Sequence, residues 1–567
     1  MPASQTPPER TFRTAPQCAD APGGRSPGPM PGHPAGTGSR PGGAAGSLLR
    51  AARASAPALA SAVCGLCLYA SFAPLRWWFL APVGVAVLVA ALRGRRPRAA
   101  FGTGFLAGLA FFGLLVDWAS ESTGTWVARA GLGAVLALYT AAMALVWRGL
   151  FEPFGDRPLL LAPALATVWV AVEQLRGAWP LGGMPWGTLA FGQVDGPLLR
   201  LAPYGSSQAV GFAVVAAGVL LEAAVRAVRK GGKAAAIGAS ACCLAAAGLV
   251  FGPLFLPLSP VSAGTGTVAV GFVQGRIPAK SEVSGRLRAL TVTENLAAAT
   301  RRLEGRGADL VLWPESASDL DAHTDPDAGA VVDEASRRLG VPLLLGTQRY
   351  PGDYRYNDYI AWLPDRGPSG RYTKQHPVPF GEYMPARGFF RLFTSAVDQI
   401  YLDMRAGSGP ALLDVNAGGR RLRVAVPICF EIGYEGIVNE AVRKGAQFIA
   451  VPTNNASFGH SAESRQQFDM TRFLSAETGR TAIQVSTVGV SGVAEPDGRV
   501  RHMTEPWRPE ARLARVALRS GTTPATRMRG HAVAAFYLAG AALGGLALAQ
   551  GLNRPGGNGK RREKGGR

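Results

Sequence analysis

Between residues 55 and 258 apolar positions run on almost unbroken, and beyond residue 264 they split into short blocks separated by polar and turn residues. A helix needs about 18 or more apolar residues to cross a hydrocarbon core about 30 Å thick. Stretches of this kind lie at 55–73, 77–92, 100–117, 130–147, 158–174, 207–224, 234–257 and 531–550. They predict eight membrane spans, seven before the polar region and one after it.

The region between the last two spans has a different period. "GTVAVGFVQG", "ADLVLWPES", "VPLLLGTQRY", "NDYIAWLP", "RLRVAVPICF" and "QFIAVPTNN" read as buried strands, and "TAIQVSTVGVSGVAEPDGRV" as a strand pair with a Pro-Asp-Gly turn. Between them, "GRLRALTVTENLAAATRRLEG" has helical spacing, with Leu287, Leu290, Leu296 and Leu303 on a broadly common side. "AGAVVDEASRRLG", "YEGIVNEAVRKGA" and "SRQQFDMTRFLSAETGR" are further helices. Strands followed by helices predict an α/β domain with helices packed on its sheet faces. The chain thus divides into a disordered tail (1–47), a seven-span domain (48–260), an α/β domain (261–520), a last span (521–551) and a basic tail (552–567). The fold class is an α-helical polytopic membrane bundle joined to that α/β domain.

A net charge of +21 suggests a nucleic-acid binder until its placement is considered. Residues 1–54 before the first span, "RGRRPR" (93–98) and "RAVRKGGK" (226–233) each carry +4, the last tail carries +5, and "RGLFEPFGDR" is balanced. With eight spans these five segments share one side, and cytoplasmic loops hold the Lys/Arg excess of membrane proteins. Both termini are then cytoplasmic, and the α/β domain is extracytoplasmic. The charge records topology, not a nucleic-acid footprint. Residues 1–47 lack a charged segment leading into a short apolar core and cleavage site, so the first span is expected to serve as an uncleaved insertion signal.

Of six cysteines, Cys429 alone lies in the α/β domain. It has no partner there to oxidise with, so it is expected to be a free thiol in an oxidising compartment. It also stands where an apolar run stops, in "VPICFE". Two other strand ends carry candidates: Glu315 in "DLVLWPE" and Lys374 in "GRYTKQHPVPFGEYMP". Singly, each reads as an ordinary solvated charge. Together they supply what acyl transfer through a thioester needs. A carboxylate takes the thiol proton and returns it, and an ammonium stabilises the oxyanion.

The order "WPE", "YTKQHPVPFGEYMP", "ICFE" resembles the Glu-Lys-Cys triad of the nitrilase (carbon–nitrogen hydrolase) superfamily. Together with the spans, "SFAPL" (71–75) and "EQLRGAWPLGGMPWGTLAFGQ", the chain after residue 48 resembles the apolipoprotein N-acyltransferase family within it. The resemblance implies an α-β-β-α sandwich for the catalytic domain, with Cys429 as nucleophile, Glu315 as general base and Lys374 stabilising the oxyanion. Glu382 in "FGEY" and Glu431 in "CFE" would support that site, by chemistry or by structural hydrogen bonds. The implied reaction moves the sn-1 acyl chain of a phospholipid to Cys429, then to the α-amino group of diacylglyceryl-cysteine on a lipoprotein. The implied setting is the bacterial inner membrane, with a monomeric enzyme. A membrane-tethered amidase using the same triad is the alternative. The chain departs from the family at "NNASFG" (454–459), where Asn455 and Ser457 replace an acid and an aromatic residue.

Trp186, Phe389, Phe390 and Phe393 are candidate lipid contacts, the last three on a segment, 387–404, expected to dip into the interface. Glu173 and Arg176, an i, i+3 pair, read as support for the fold. The histidines lack metal-ligand spacing and no phosphate loop occurs, so no metal, nucleotide or other cofactor is expected.

Overall fold

The computed structural model describes residues 43–552, except 258–260, 262, 263, 265, 280, 393 and 394. Most of both expected tails and Phe393 therefore lie outside the described residues. The chain separates into two units, Met1–Ala54 and Ser55–Arg567. The architecture and the site belong to the second.

The membrane-type part comprises α1 (Gly43–Ala70), α2 (Leu80–Leu92), α3 (Pro97–Leu115), the short α4 (Trp118–Thr123), α5 (Trp126–Phe154), α6 (Pro158–Arg176), α7 (Ala202–Lys230) and α8 (Lys233–Phe251). Proline opens α3 and α6, where a missing N–H costs nothing. Small residues let the backbones close up: a Cβ on Gly108 of α3 would sit 2.8 Å from the Cα of Ala137 on α5. Six stretches, Pro97–Leu115, Trp126–Phe154, Pro158–Arg176, Pro197–Lys230, Lys233–Phe255 and Pro524–Gln550, are long and apolar enough to cross a membrane. Ala56–Ala70 and Leu80–Leu92 are shorter apolar helices. Ile237, Leu244, Leu538 and Leu548 project outward, exposed, as a lipid-facing surface requires.

At one end of the bundle the Arg-rich loops meet. Arg93 forms a two-pronged pair with Glu222 at 2.8 and 2.9 Å, Arg148 donates to the Arg95 carbonyl, and Arg226 donates to the Gly155 carbonyl.

After the bundle come β1 (Thr267–Gln274), α9 (Gly285–Thr300), β2 (Leu310–Leu312), α10 (Pro326–Leu339), β3 (Leu343–Arg349), β4 (Tyr354–Leu363), β5 (Gly367–Thr373), α11 (Arg387–Arg391), β6 (Asp403–Met404), β7 (Leu412–Ala417), β8 (Arg420–Ala425), α12 (Glu435–Arg443), β9 (Phe448–Thr453), α13 (Glu463–Thr478), β10 (Ala482–Ser486), β11 (Gly492–Ala494), β12 (Val500–Met503), β13 (Glu510–Ala517) and α14 (Pro524–Leu552). They build two sheets. One runs β13-β1-β2-β3-β4-β5 with β6 beside β4, and the other runs β12-β11-β10-β9-β8-β7. The period of two decides which side chains meet. Val268, Val270, Phe272, Leu310, Leu312, Leu344, Tyr359 and Ala361 face the core between the sheets. Their neighbours Val273, Val311, Leu343, Leu345, Ile360 and Trp362 pack outward with residues of α9 and α10.

Several strands differ from the pattern-based reading, β6 and β7 among them. β5 contains Pro368 and two glycines, tolerated because it is an edge strand with mostly exposed residues. β13 is half polar and pairs with β1 along its whole length. Residues 482–503 form three strands, not a pair, and the Pro-Asp-Gly turn joins β11 to β12. The ladder breaks after β10 because Gly489 and Val490 donate their N–H groups to the hydroxyls of Ser486 and Ser464.

The end of the bundle away from the Arg-rich loops carries the α/β domain, chiefly through α12 and α13. Arg76 pairs with Asp469 at 2.8 Å and Arg472 with Asp195 at 2.6 Å. Ser206, where α7 is broken by non-helical backbone, donates to Glu477 at 2.8 Å. Arg529 of α14 reaches Glu435 at 3.1 Å. Burial, then the neighbouring Glu435, pushes the Glu477 carboxyl from its ordinary 4.5 up to about 8. A carboxyl raised on folding stabilises the fold fully below pH 4.5, and that contribution is lost as pH rises through 8. Glu477→Gln keeps the shape without the ionisation. Its melting temperature is expected to match wild type near pH 4 and exceed it increasingly toward pH 9, as calorimetry at several pH values would reveal.

Candidate active site

Three residues separate Cys429 from the end of β8, which closes at Ala425. The chain leaves β8 through Val426, Pro427 and Ile428 and turns sharply, with Cys429 at φ +55°, a left-handed conformation costly for a residue with a Cβ. A short 3-10 turn, Cys429–Gly433, begins there. Glu431 holds it: its carboxylate accepts from the Ile428 N–H at 2.8 Å. The same carboxylate accepts from the N–H groups of Gln375 (2.6 Å) and His376 (3.1 Å) and from the Tyr372 hydroxyl (2.9 Å). One buried side chain therefore ties the cysteine turn to the lysine loop. Burial pushes its carboxyl up, which the N–H donors and the Lys374 charge oppose.

Lys374 follows β5 and is 1 % exposed. Its Nζ donates to Glu382 at 2.7 Å and to Glu315 at 3.2 Å. Burial favours release of its proton, but Glu315, Glu382 and Cys429 outweigh that, so the ammonium stays charged well above the usual lysine range. Glu315, just beyond β2, also accepts from Asn357 at 2.7 Å, and Glu382 accepts from the Val378 N–H at 2.7 Å. Gly346 of β3 runs so close that a Cβ there would lie 2.7 Å from the Glu315 Cα. Gly346→Ala is expected to displace Glu315, lowering activity about tenfold and stability by about 1–3 kcal/mol, measurable by assay and thermal melt.

The thiol of Cys429 is buried among these groups. Burial and then Glu315 push its pKa well above the ordinary thiol value, while Lys374 and the Asn454 N–H lower it. A thiol so placed does not ionise unaided near neutrality, which makes a neighbouring base necessary.

Over the thiol lies an aromatic group. Phe430 packs on Trp186 at 4.7 Å and on Trp118 at 5.5 Å, with Phe458 at 5.8 Å. Trp186 is buried, and its Nε1 donates to Gln466 of α13 at 2.6 Å. Its loop is fixed by Glu173, which accepts from the Leu189 N–H, and by Arg176, which donates to the carbonyls of Met184 and Trp186. So Trp186 stands at the junction of the bundle and the nucleophile turn, not on an open surface. Phe389 and Phe390, on α11, stack edge to face at 5.2 Å, and Phe389, Leu392, Phe380 and Tyr401 are exposed.

The structure therefore brings Glu315, Lys374, Cys429, Glu382 and Glu431 into one pocket, with Trp186 beside it, and places Phe389 and Phe390 on an exposed apolar segment. Sequence reading missed Asn357, Tyr372, Trp118, Gln467 and Glu463. Asn357 carried a signal: it shares a strand face with Tyr359 and Ala361, an inward polar residue in an apolar row. Among the described residues no group of three His, Cys, Asp or Glu could hold a metal ion.

Comparison with known proteins matches both halves of the chain. Residues 64–220 match the apolipoprotein N-acyltransferase N-terminal domain and residues 269–527 the carbon-nitrogen hydrolase family. An apolipoprotein N-acyltransferase of Mycolicibacterium smegmatis is 33 % identical over 526 residues, covering 86 % of this chain and 84 % of the relative. One from Methylococcus capsulatus is 29 % identical over 475 residues, covering 81 % and 90 %. Among solved structures, a nitrilase-superfamily amidase from Nesterenkonia aligns over 49 % of this chain and 98 % of its own, at 16 % identity and a TM-score of 0.34.

Proposed function

The chain belongs to the apolipoprotein N-acyltransferase family of the nitrilase superfamily, and from that premise we propose that it carries an acyl chain from a membrane phospholipid, through a thioester on Cys429, to the N-terminal amine of diacylglyceryl-cysteine in lipoproteins. Glu315 takes the Cys429 proton as sulfur attacks the sn-1 ester carbonyl. The Lys374 ammonium and a backbone N–H beside the nucleophile stabilise the oxyanion. Glu315 then gives its proton to the departing lysophospholipid oxygen, leaving the thioester. In the second half the acceptor amine attacks, Glu315 removes its proton, and the thiolate leaves and is reprotonated. Glu382 orients the lysine, and Glu431 fixes the turn that presents the sulfur.

The observation that carries this reading is the contact of Trp186, from a loop between membrane-type helices, with Phe430, the residue after the nucleophile. A pocket walled by the bundle suits a donor that never leaves the bilayer. Extracting such a lipid would cost about 0.8 kcal/mol per exposed CH₂, a cost a small amide does not incur. Exclusion of water by this wall also protects the thioester from hydrolysis.

The eight apolar helices serve in this reading as eight spans of a bacterial inner membrane. The Arg-rich loops that meet at one end of the bundle face the cytoplasm with both termini, and the α/β domain at the other end is extracytoplasmic. Phe389 and Phe390 dip from the α/β domain into the outer leaflet.

The test is transfer in phospholipid vesicles containing the full chain and a diacylglyceryl-cysteinyl peptide. The expected products are N-acyl peptide and lysophospholipid in equal amounts, both absent for Cys429→Ala. Release of ammonia from short amides, without consumption of lipid, would replace the acyltransferase by an amidase.

A further inference from the structure

Glu463 opens α13, is fully buried, and takes no part in the chemistry described above. Its Oε2 accepts from Asn455 Nδ2 at 2.8 Å, and its Oε1 has no hydrogen-bond partner among the described residues. The same Nδ2 donates to Gln467 Oε1 at 2.9 Å. The amide nitrogen of Gln467, in turn, lies 3.5 Å from the Cys429 sulfur and donates to it. The chain has one polarity. Asn455 Oδ1 accepts from the hydroxyls of Thr453 and Ser486, which leaves only the Asn455 amino group to face Glu463 and Gln467. With its oxygen held by Asn455, Gln467 presents N–H to the sulfur.

We propose that Glu463 is a positioning residue for the nucleophile, fixing Asn455 so that Gln467 keeps an N–H donor on the Cys429 sulfur. This rests on Cys429 being the nucleophile. A donor at that place stabilises a thiolate more than a thiol, so it favours the charged form that attacks and that leaves again in the second half-reaction. It also accounts for the departure at "NNASFG". The acid absent from position 455 is found eight residues later as Glu463, joined to Asn455 by a direct hydrogen bond.

Glu463 must be neutral to help. Burial, opposed by Asn455 and reinforced by Glu315, raises its carboxyl to about 8. As a carboxylate it would repel the thiolate. The charged groups acting on this pocket are Glu315 and Lys374, on the opposite wall; Glu121 of α4 faces the loop at Gly459, and His460 packs on Trp507.

The experiment is alkylation of Cys429 by iodoacetamide, followed by peptide mass, across pH 6 to 10 in the detergent-solubilised full chain. Gln467→Met, similar in volume but without a donor, is expected to react about tenfold more slowly near neutral pH. Glu463→Gln, isosteric but unable to ionise, is expected to react about three- to tenfold faster than wild type at pH 9. Glu463→Leu, which releases Asn455, is expected to follow Gln467→Met. Profiles of Glu463→Gln and Gln467→Met that superimpose on wild type would overturn the inference, whatever their melting temperatures. Because alkylation needs neither lipid nor acceptor, this result is separate from whether Cys429 carries an acyl chain.

Discussion

Glu315→Gln is expected to lower the rate of Cys429 acylation by about a thousandfold while leaving the fold and lipid affinity close to wild type. The size follows from the loss of a positioned proton acceptor, about 10² to 10⁴ in rate. A thousandfold is the middle of that range, above its floor because the buried thiol is itself held protonated, first by desolvation. The fold survives because glutamine keeps an oxygen for the Asn357 and Lys374 donors that now meet Glu315. Acyl-enzyme formation in a single turnover, beside a thermal melt, would separate the two effects. A variant retaining a tenth of the rate would assign the base to another group.

Lys374→Met is expected to fail in both respects. In the proposed reaction, removing the ammonium takes away an oxyanion donor, about 10² to 10³ in rate. It also leaves Glu315 and Glu382 facing each other in a pocket where Nζ had touched both, at 3.2 and 2.7 Å. Breaking a buried ion pair by deleting one partner costs about 3–5 kcal/mol, so melting should fall together with activity. Lys374→Arg is not expected to rescue the rate, because a planar fork cannot occupy a point contact between two carboxylates. Wild-type stability in the methionine variant, combined with lost activity, would mean that the carboxylates are already neutral.

How much was legible beforehand depended on whether a signal was local. The apolar runs showed the helices because a membrane-length run needs no partner to be recognised. Glu315, Lys374 and Cys429 stood out because each lies near a strand end and their order resembles a known family, and the structure brings the three together. What required the fold was the network around them. Glu431 reads as one more acid beside the cysteine until Gln375, His376 and Tyr372 arrive from 55 to 59 residues away to bond it. Trp186 looks like an interfacial tryptophan in sequence, yet it is buried against Phe430 because α13 meets the bundle there. Gln467 and Glu463 sit in a polar helix, Glu463–Thr478, whose residues are all buried except Arg465, a pattern that hydrophobic periodicity cannot detect. β5 and β13 escaped for the opposite reason: edge strands have too few apolar positions to announce themselves.

In the proposed reaction Cys429 itself holds the acyl chain between donor and acceptor. The most direct measurement is the mass of the Cys429 peptide after the purified full chain is mixed with phospholipid alone. The account predicts a fatty-acyl adduct on Cys429 that hydroxylamine removes, that a diacylglyceryl-cysteinyl peptide discharges, and that Cys429→Ala lacks. An unmodified Cys429 in protein that nevertheless transfers acyl chains to the peptide would contradict it.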